Sequence, residues 1–273
     1  MIRSSLPICQ IEKPWGKDVL PAPFAAAERR RIGEIWFEPP GALPELLVKY
    51  IFTSEALSVQ VHPSDVQTAR NGLGRQGKDE CWLIVAAEAG SRLGIGFDEP
   101  IDETAMRAAA LDGSIEHLMT WHPVSAGDFF YIPANTVHAI GAGMSLIEVQ
   151  QNSDITYRLY DYGRPRELHL DNGIAVAKGE PYDLARWHKS VSPSTSMTLV
   201  DGPLFMLDQV AGPPSPNMTV RYPGPLLLIP RRGEIHVKGE RIAPGACAVA
   251  MSINDVHFIN ESICLLARPS DIF

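Results

Sequence analysis

Four polar side chains in the first half of the sequence have the types and spacing of a metal-binding site. Gln60 and His62 are two residues apart in LSVQVH, whose alternating apolar and polar residues are typical of a strand, so their side chains point to the same face. Glu80 and His138 each open a later predicted strand. Two imidazoles, a carboxylate and an amide oxygen suit a borderline divalent cation, with zinc first and iron or manganese next. An open position for water or substrate would make this a catalytic type of zinc site.

Each of these residues also has a structural interpretation. A histidine on a strand face is most often a hydrogen-bonded structural or surface residue, and Glu80 can be an ordinary solvated charge. The combination of all four at strand ends of one β scaffold supports the metal site, but spacing alone leaves both interpretations open.

The segments that must position these residues are predicted to be short strands separated by turns. One segment alone is clearly helical: Asp102 can cap it, Gly113 can end it, and a second short turn can begin at Ser114. The sequence therefore predicts an all-β protein with two jelly-roll lobes and a small helical insert. The predicted strands are ELLVKYIF, ALSVQVH, DECWLIVAAEAG, GDFFYIPANTVHAI, MSLIEVQQN, PLLLIP, EIHVKGE, GACAVAM, VHFI and SICLLAR.

Composition predicts where the two lobes divide. Residues 180–200 have weak periodicity, and residues 201–225 are rich in glycine and proline. We therefore expect a catalytic lobe over residues 1–200, which carries the metal pocket, and a smaller C-terminal β lobe over residues 201–273 without its own site.

A faint internal repeat connects the two lobes. GDFFYIPANTVH (127–138) resembles GACAVAMSINDVH (245–257) in its order of turn, strand, turn and histidine, with one extra residue in the second copy. The repeat suggests two related β units, of which the second is degenerate. Chance similarity between short strands is the alternative explanation.

The composition excludes several classes of protein. The 273 residues are 45% hydrophobic and 21% charged, which supplies a core and argues against a disordered chain. The net charge of −8 disfavours general binding of nucleic acid or an anionic membrane, and no stretch approaches about 18 apolar residues. The N-terminus lacks the apolar region of a signal peptide, and the four cysteines form no C-x-x-C pair. We therefore expect a soluble cytoplasmic protein with reduced thiols and with neither a nucleic-acid nor a membrane partner, and its oligomeric state is left open.

Several longer segments resemble the motifs of a known family. Gly127-x5-Pro133-x4-His138 is similar to the second motif of the cupin superfamily, with Asn135 where a glycine is usual. From about residue 12 to residue 172 the chain resembles type I phosphomannose isomerase in its short bacterial form, while the final hundred residues match only weakly. The segments that carry this resemblance are KPWG (13–16), IGEIW (32–36), LVK (47–49), LSVQVHPSD (57–65), GKDECW (77–82), IPANTVHAIGAG (132–143) and QNSDITYRLYDYGR (151–164).

The resemblance implies an enzyme and its cofactor. It implies an aldose–ketose isomerase that interconverts mannose 6-phosphate and fructose 6-phosphate, so that its partner is a small sugar phosphate. Cupin-like lobes and one Zn²⁺ per chain are implied as well. It also implies that the helical domain of longer forms is reduced to about residues 98–120. By the same resemblance, the zinc ligands are Gln60, His62, Glu80 and His138, the catalytic residues are Arg158, Lys78 and Asp154, and the residues that bind substrate phosphate are Ser58 and Lys49.

These residues suit an isomerisation that moves a proton between C1 and C2 through an enediol and leaves negative charge on oxygen. Zinc and Arg158 can stabilise that charge. Lys78 can act as the base if zinc and Arg158 depress its pKa, and Asp154 can orient Lys78 or Arg158, or act itself. The sequence leaves the identity of the base open.

Other functions remain open at this point. An iron-dependent oxygenase of the cupin superfamily would need two histidines and one carboxylate but not Gln60. A catalytically silent protein would bind zinc and sugar phosphate without turnover. Arg158 and Asp154 can also form an ordinary surface ion pair. Four histidines have no partner pattern and are expected to be structural or exposed, namely His122, His169, His188 and His236.

Overall fold

The computed structural model describes residues 3–25 and 30–270, and it confirms a mainly β protein. The described strands pair antiparallel in four sheets. In chain order they are β1 (Ile8–Lys17), β2 (Ile32–Phe37), β3 (Leu46–Phe52), β4 (Val59–Val61), β5 (Glu80–Ala87), β6 (Arg92–Phe97), β7 (Met119–Pro123), β8 (Asp128–Ile132), β9 (His138–Ile140), β10 (Met144–Gln151), β11 (Tyr157–Tyr160), β12 (His188–Ser190), β13 (Met197–Asp201), β14 (Phe205–Ala211), β15 (Leu226–Arg232), β16 (Ile235–Val237), β17 (Glu240–Ile242), β18 (Ala248–Ala250), β19 (Val256–Phe258) and β20 (Ile263–Pro269).

The sheets fall into a larger and a smaller pair. The first sheet has the order β1-β2-β3-β10-β5-β8-β12, and the second has the order β11-β4-β9-β6-β7. The third has the order β13-β14-β20-β15-β18, and the fourth has the order β17-β16-β19. Strands that are distant in the chain are therefore neighbours, as in jelly-roll folds.

An apolar core fills the space between the first two sheets. Trp82 and Ile84 of β5 pack in one cluster with Leu93 and Ile95 of β6. Successive side chains of a strand point to opposite faces, so Leu83 joins a different cluster behind the first sheet. Because β5 packs side chains into a different core on each of its faces, its register is strongly determined.

The third sheet covers the outer face of the first. Val48 and Tyr50 of β3 belong to one cluster with Leu227, Ile229 and Leu265 of β15 and β20. Burying each of the aliphatic side chains among them contributes on the order of 1.5–3 kcal/mol. The first sheet is thus held from both sides.

The helices of the described residues are short. The helix predicted after Asp102 is present: its side chain accepts a hydrogen bond from Ala105 N at 2.8 Å, and Gly113 ends the helix with a φ of +85°. None of these helices is long and apolar enough to cross a membrane. They are α1 (Asp65–Arg70), α2 (Glu103–Asp112), α3 (Ile115–Leu118), α4 (Leu170–Val176), α5 (Leu184–Trp187), α6 (Pro216–Arg221) and a 3₁₀ turn over Ile253–Asp255.

The internal repeat corresponds to two similar crossings between sheets. β8 lies in the first sheet, and β9 with its histidine lies in the second. In the later copy β18 lies in the third sheet, and β19 with His257 lies in the fourth. Sheet membership changes between β12 and β13, and the division into lobes over residues 1–200 and 201–273 stays a prediction.

Candidate metal centre and active site

Strands of the two facing sheets bring the four predicted ligands together. Gln60 and His62 flank Val61, whose side chain is 0% exposed and anchors the other face of β4 in the core. β4 pairs with β9 so that Gln60 lies opposite His138. Glu80 opens β5 in the first sheet, and its carboxylate faces both imidazoles. The tertiary structure therefore assembles one cluster from three separate parts of the chain.

The Glu80 carboxylate lies within reach of both histidines. Its Oε1 is 3.6 Å from His62 Nε2 and 3.3 Å from His138 Nε2. The candidate ligand atoms of the three residues lie within 4.8 Å of one another, and each side chain is 1% exposed. This buried group could bind a metal ion.

A backbone carbonyl orients each imidazole. His62 Nδ1 lies 2.9 Å from Ile155 O, and His138 Nδ1 lies 2.9 Å from Thr136 O. A carbonyl oxygen can only accept, so Nδ1 must carry the hydrogen in each ring. The Nε2 lone pairs then face Glu80, which is the tautomer that a metal-binding histidine needs.

The protonation states of the cluster also suit a cation. Burial lowers the pKa of both imidazoles, to about 4 for His62, where the Lys78 ammonium lowers it further. Burial alone would raise the pKa of Glu80, but Lys78 and His62 hold it well below its usual value. At neutral pH the cluster therefore has neutral imidazoles and an ionised carboxylate, as metal ligation requires.

The surroundings of the two Glu80 oxygens suit a further cation. Both are buried, and neither has a hydrogen bond from the described residues. Lys78 Nζ lies 2.6 Å from Oε2 as an ion pair, without the alignment of a hydrogen bond. A buried carboxylate with vacant acceptor positions is expected to have a further positively charged partner.

Gln60 completes the edge of the cluster. Its Nε2 lies 3.2 Å from His138 Nε2, and its Oε1 accepts a hydrogen bond from Ser58 Oγ at 3.2 Å. A half-turn of the amide exchanges the nitrogen and the oxygen, so Gln60 can present its carbonyl oxygen as a fourth donor. Ser58 is buried beside it and contacts the ligand set directly.

A polar pocket of about 370 Å³ opens beside the cluster, a size typical of small-molecule sites. Six of the predicted site residues line it, namely Lys49, Ser58, Gln60, Lys78, Asp154 and Arg158. The lining also includes eight polar or aromatic residues that were not among the predicted site residues, namely Lys13, Trp15, Glu34, Trp36, Glu148, Thr156, Arg166 and His169.

Strand register places Lys49 in this pocket between Trp36 and Glu148. Its Nζ is 2.9 Å from Glu148 Oε1 and 4.7 Å from the centroid of the Trp36 ring. It also donates to Gln150 Oε1 at 2.5 Å. Glu148 Oε2 accepts from Trp82 Nε1 at 3.1 Å. Lys49 is therefore buried but fully compensated, rather than solvated.

Lys78 is also buried rather than solvated, at 5% exposure. Besides the Glu80 contact, its Nζ lies 3.1 Å from His62 Nε2. Burial alone would lower the pKa of Lys78, but Glu80 and Glu148 raise it above its usual value. In this arrangement the pKa is raised rather than depressed, so Lys78 is an ammonium donor at the edge of the cluster.

Arg158 lies on β11 opposite Gln60 and is half-buried. Its Nη1 donates to Glu167 O at 2.9 Å and lies 3.4 Å from His169 Nδ1. His169 Nδ1 also accepts from the backbone N of Arg158 at 3.2 Å. His169 thus lines the pocket and supports Arg158, a contact that no partner pattern in the sequence indicated. The contact depends on the turn between the two residues, which has no sequence periodicity.

Asp154 and Arg158 form no ion pair within the part of the chain that the structure describes. Asp154 is exposed and lines the pocket. Arg166 instead forms the carboxylate pair of this region, with its Nε 2.6 Å from Asp161 Oδ2. The surface ion pair between Asp154 and Arg158 is therefore not observed.

No model of a protein family matches the chain, but curated relatives do, among them two mannose-6-phosphate isomerases. The chain is 37% identical over 186 residues to mannose-6-phosphate isomerase of Streptococcus mutans, in an alignment that covers 65% of this chain and 58% of that protein. It is 33% identical over 207 residues to mannose-6-phosphate isomerase ManA of Bacillus subtilis, covering 73% of this chain and 65% of that protein. The chain thus spans less than two thirds of the length of these relatives.

The crystal structure of mannose 6-phosphate isomerase from Bacillus subtilis shares the fold. It superposes with a TM-score of 0.73 at 22% identity, over 97% of this chain and 98% of that chain. The fold and both sequence matches agree with the motifs around the metal-site cluster. The chain therefore belongs to the mannose-6-phosphate isomerase family.

Proposed function

We propose that the chain interconverts mannose 6-phosphate and fructose 6-phosphate in this pocket. The observation that carries the proposal is the buried group of His62, Glu80 and His138 beside a polar pocket of about 370 Å³. The relatives named above are mannose-6-phosphate isomerases, which supports a sugar phosphate as substrate.

We propose zinc as the metal, with one ion per chain held by Gln60, His62, Glu80 and His138. The support is the donor set, since two imidazoles with a carboxylate and an amide oxygen suit zinc. The vacant acceptor positions of Glu80 support it further. When bound, zinc would supply Lewis-acid stabilisation of negative charge on a substrate oxygen.

Arg158 is the best-supported binding group for the substrate's anionic oxygens. The other lysines and arginines that line the pocket each have a carboxylate partner, namely Lys13, Lys49, Lys78 and Arg166. Arg158 has none among the described residues, so its charge is available to the phosphate or to the enediolate. Lys49 already pairs with Glu148, and Ser58 already donates to Gln60. We therefore assign these two residues a smaller share of substrate binding.

Lys78 and Asp154 supply the polar groups that a proton transfer requires. Lys78 Nζ lies against the cluster, where it can donate a hydrogen bond to a substrate oxygen. The exposed carboxylate of Asp154 lines the same pocket and can accept a proton. Donor and acceptor together match a reaction that moves one proton between neighbouring carbons.

The test is a coupled assay of mannose 6-phosphate conversion with parallel metal analysis. Activity should disappear when a chelator removes the metal and return when about one zinc ion per chain rebinds. Full activity of verified metal-free protein would refute the zinc-dependent isomerase. Binding of mannose 6-phosphate without turnover would identify a silent binding protein, and oxygen consumption with iron would identify an oxygenase.

The proposal extends to the compartment. The four cysteines are unpaired, and Cys81, Cys247 and Cys264 are buried. Unpaired thiols are typical of the reducing cytoplasm. We therefore place the activity in the cytoplasm.

A further inference from the structure

A second pocket, of about 460 Å³, lies behind the first sheet on the face away from the metal-site cluster. β3 separates the two pockets because its side chains alternate. Tyr50 and Phe52 line the second pocket, whereas Lys49 and Ile51 line the pocket of the proposed isomerase site. Arg231 of β15 contributes to the far wall. A ligand in one pocket therefore does not occupy the other.

Aromatic rings form an apolar wall of the second pocket. The Phe24 ring centroid lies 4.6 Å from that of Tyr50 and 5.2 Å from that of Phe52. Gly245, at a φ of +89°, lets the chain close this wall, because a Cβ there would lie 2.4 Å from Pro23 Cγ. The wall thus joins the N-terminal segment to the C-terminal strands.

Arg231 supplies positive charge at this wall. Its Nη1 donates to Oε1 of Gln209, whose side chain is 0% exposed. The Gln209 amide nitrogen donates to Ser192 O at 2.8 Å and to Thr195 O at 2.7 Å, which fixes the orientation of the amide. Arg231 is thereby held in place by a neutral group.

The surroundings of Arg231 that the structure describes are neutral or basic. Within the described part of the chain, Arg231 has no carboxylate partner and no aspartate or glutamate lines the pocket. Burial lowers the pKa of its guanidinium, and the nearby Tyr50 phenol only partly opposes this. An anion beside the guanidinium would offset the cost of burying the charge.

These properties select the chemistry of the ligand. A guanidinium pairs well with a carboxylate, which it can bind through two parallel hydrogen bonds. An apolar wall disfavours strongly hydrated ions, and aromatic rings favour another ring. The volume is within the range of small-molecule sites.

We infer that the second pocket binds a small aromatic carboxylate, with its carboxylate on Arg231 and its ring against Phe24, Tyr50 and Phe52. This site lies outside the proposed isomerase machinery and does not depend on it. Ligand binding and isomerase activity can therefore be measured separately.

The test is a calorimetric titration of the full chain with 2-naphthoate. We expect saturable binding at about one site per chain that mannose 6-phosphate does not displace. Arg231→Gln should weaken binding about tenfold or more, and Ala86→Trp should abolish it by filling the pocket. Arg241→Gln, which removes an exposed arginine of β17 that pairs with Glu234 outside the pocket, should bind as the wild type does. Isomerase activity should be unchanged in all three variants.

A neutral analogue provides a check that does not rely on folding of a variant. 2-Naphthalenemethanol should bind about tenfold or more weakly than 2-naphthoate, because it lacks the charge that pairs with Arg231. Absence of saturable binding, equal binding of the two probes, or unchanged affinity after Ala86→Trp would overturn the inference. Displacement by mannose 6-phosphate would overturn it as well, since the probe would then occupy the isomerase pocket.

Discussion

Lys49 and Glu148 lie directly opposite each other on β3 and β10, and their charged atoms are 2.9 Å apart inside the pocket. The two side chains are 8% and 4% exposed. Because water has little access to either group, each charge is stabilised mainly by the other. Glu148 also holds the indole of Trp82, so the pair links three neighbouring strands of the pocket wall.

Removing one member of this pair should destabilise the protein. Glu148→Gln keeps the shape but leaves the ammonium of Lys49 without its carboxylate, which costs about 3–5 kcal/mol for a buried pair. The double variant Lys49→Met with Glu148→Gln should recover much of that loss, because neither member of the pair then carries a charge. Thermal unfolding of the single and double variants checks this, and a Glu148→Gln variant as stable as the wild type would contradict it.

His138→Ala should remove the metal and the activity together. The change deletes one imidazole of the cluster, and we expect zinc content to fall from about one ion per chain to near zero. Elemental analysis and the isomerase assay measure the two losses. His257→Ala is the matched control, since its exposed histidine occupies the corresponding strand of the fourth sheet. Retained zinc with normal turnover in His138→Ala would refute this ligand assignment.

Arg158→Met should reduce kcat/KM for mannose 6-phosphate by roughly 10- to 100-fold, the loss expected for a charged hydrogen bond to substrate. The zinc content should stay unchanged, because Arg158 is not in the ligand set. Arg107→Met is the control, since Arg107 forms an exposed ion pair with Asp171 away from the pocket. An Arg158→Met variant with unchanged kinetics would show that the substrate anion binds elsewhere.

Glu34 should contribute to stability in a way that depends on pH. Burial alone would raise its pKa, but Lys49 and Lys13 hold it below its ordinary value of 4.5. At a pH between the lower pKa of the folded state and the pKa of the unfolded state, Glu34 is protonated in the unfolded chain but not in the folded protein. The free energy of unfolding therefore falls as the pH drops through this range. The contribution is therefore present above about pH 4.5 and is lost as the pH falls through the folded pKa.

Glu34→Gln should remove this contribution. Its melting temperature should fall less steeply than that of the wild type as the pH drops below about 4.5. Glu99→Gln, at an exposed carboxylate, should keep the wild-type slope. Melting curves at a series of pH values measure both slopes, and parallel curves for Glu34→Gln and the wild type would rule the contribution out.

Much of the fold followed from local patterns. Alternation in LSVQVH predicted the strand that carries Gln60, and the cap at Asp102 with a stop at Gly113 predicted the one clear helix. These signals are short-range, since they depend on neighbouring residues and on backbone preferences. β1 and β2 were not predicted from periodicity, because the polar residues along β1 obscure it.

The candidate site could be predicted only in part from neighbouring residues. One strand places Gln60 and His62 together, but the partnership with Glu80 and His138 needed the resemblance to a family. Spacing along the chain does not specify which strands of different sheets face each other. The structure brings the four together, and it adds the backbone carbonyls that set the tautomer of each imidazole.

By itself, the sequence determined the fold class, the strand faces and the residue types for a divalent cation. Tertiary structure alone decided that Lys49 is neutralised by Glu148, that His169 supports Arg158, and that Arg231 lines a second pocket with no acidic partner among residues 3–25 and 30–270. The physical reason is that charge compensation and burial depend on the register and packing of strands far apart in the chain. No pattern of neighbouring residues encodes those distances.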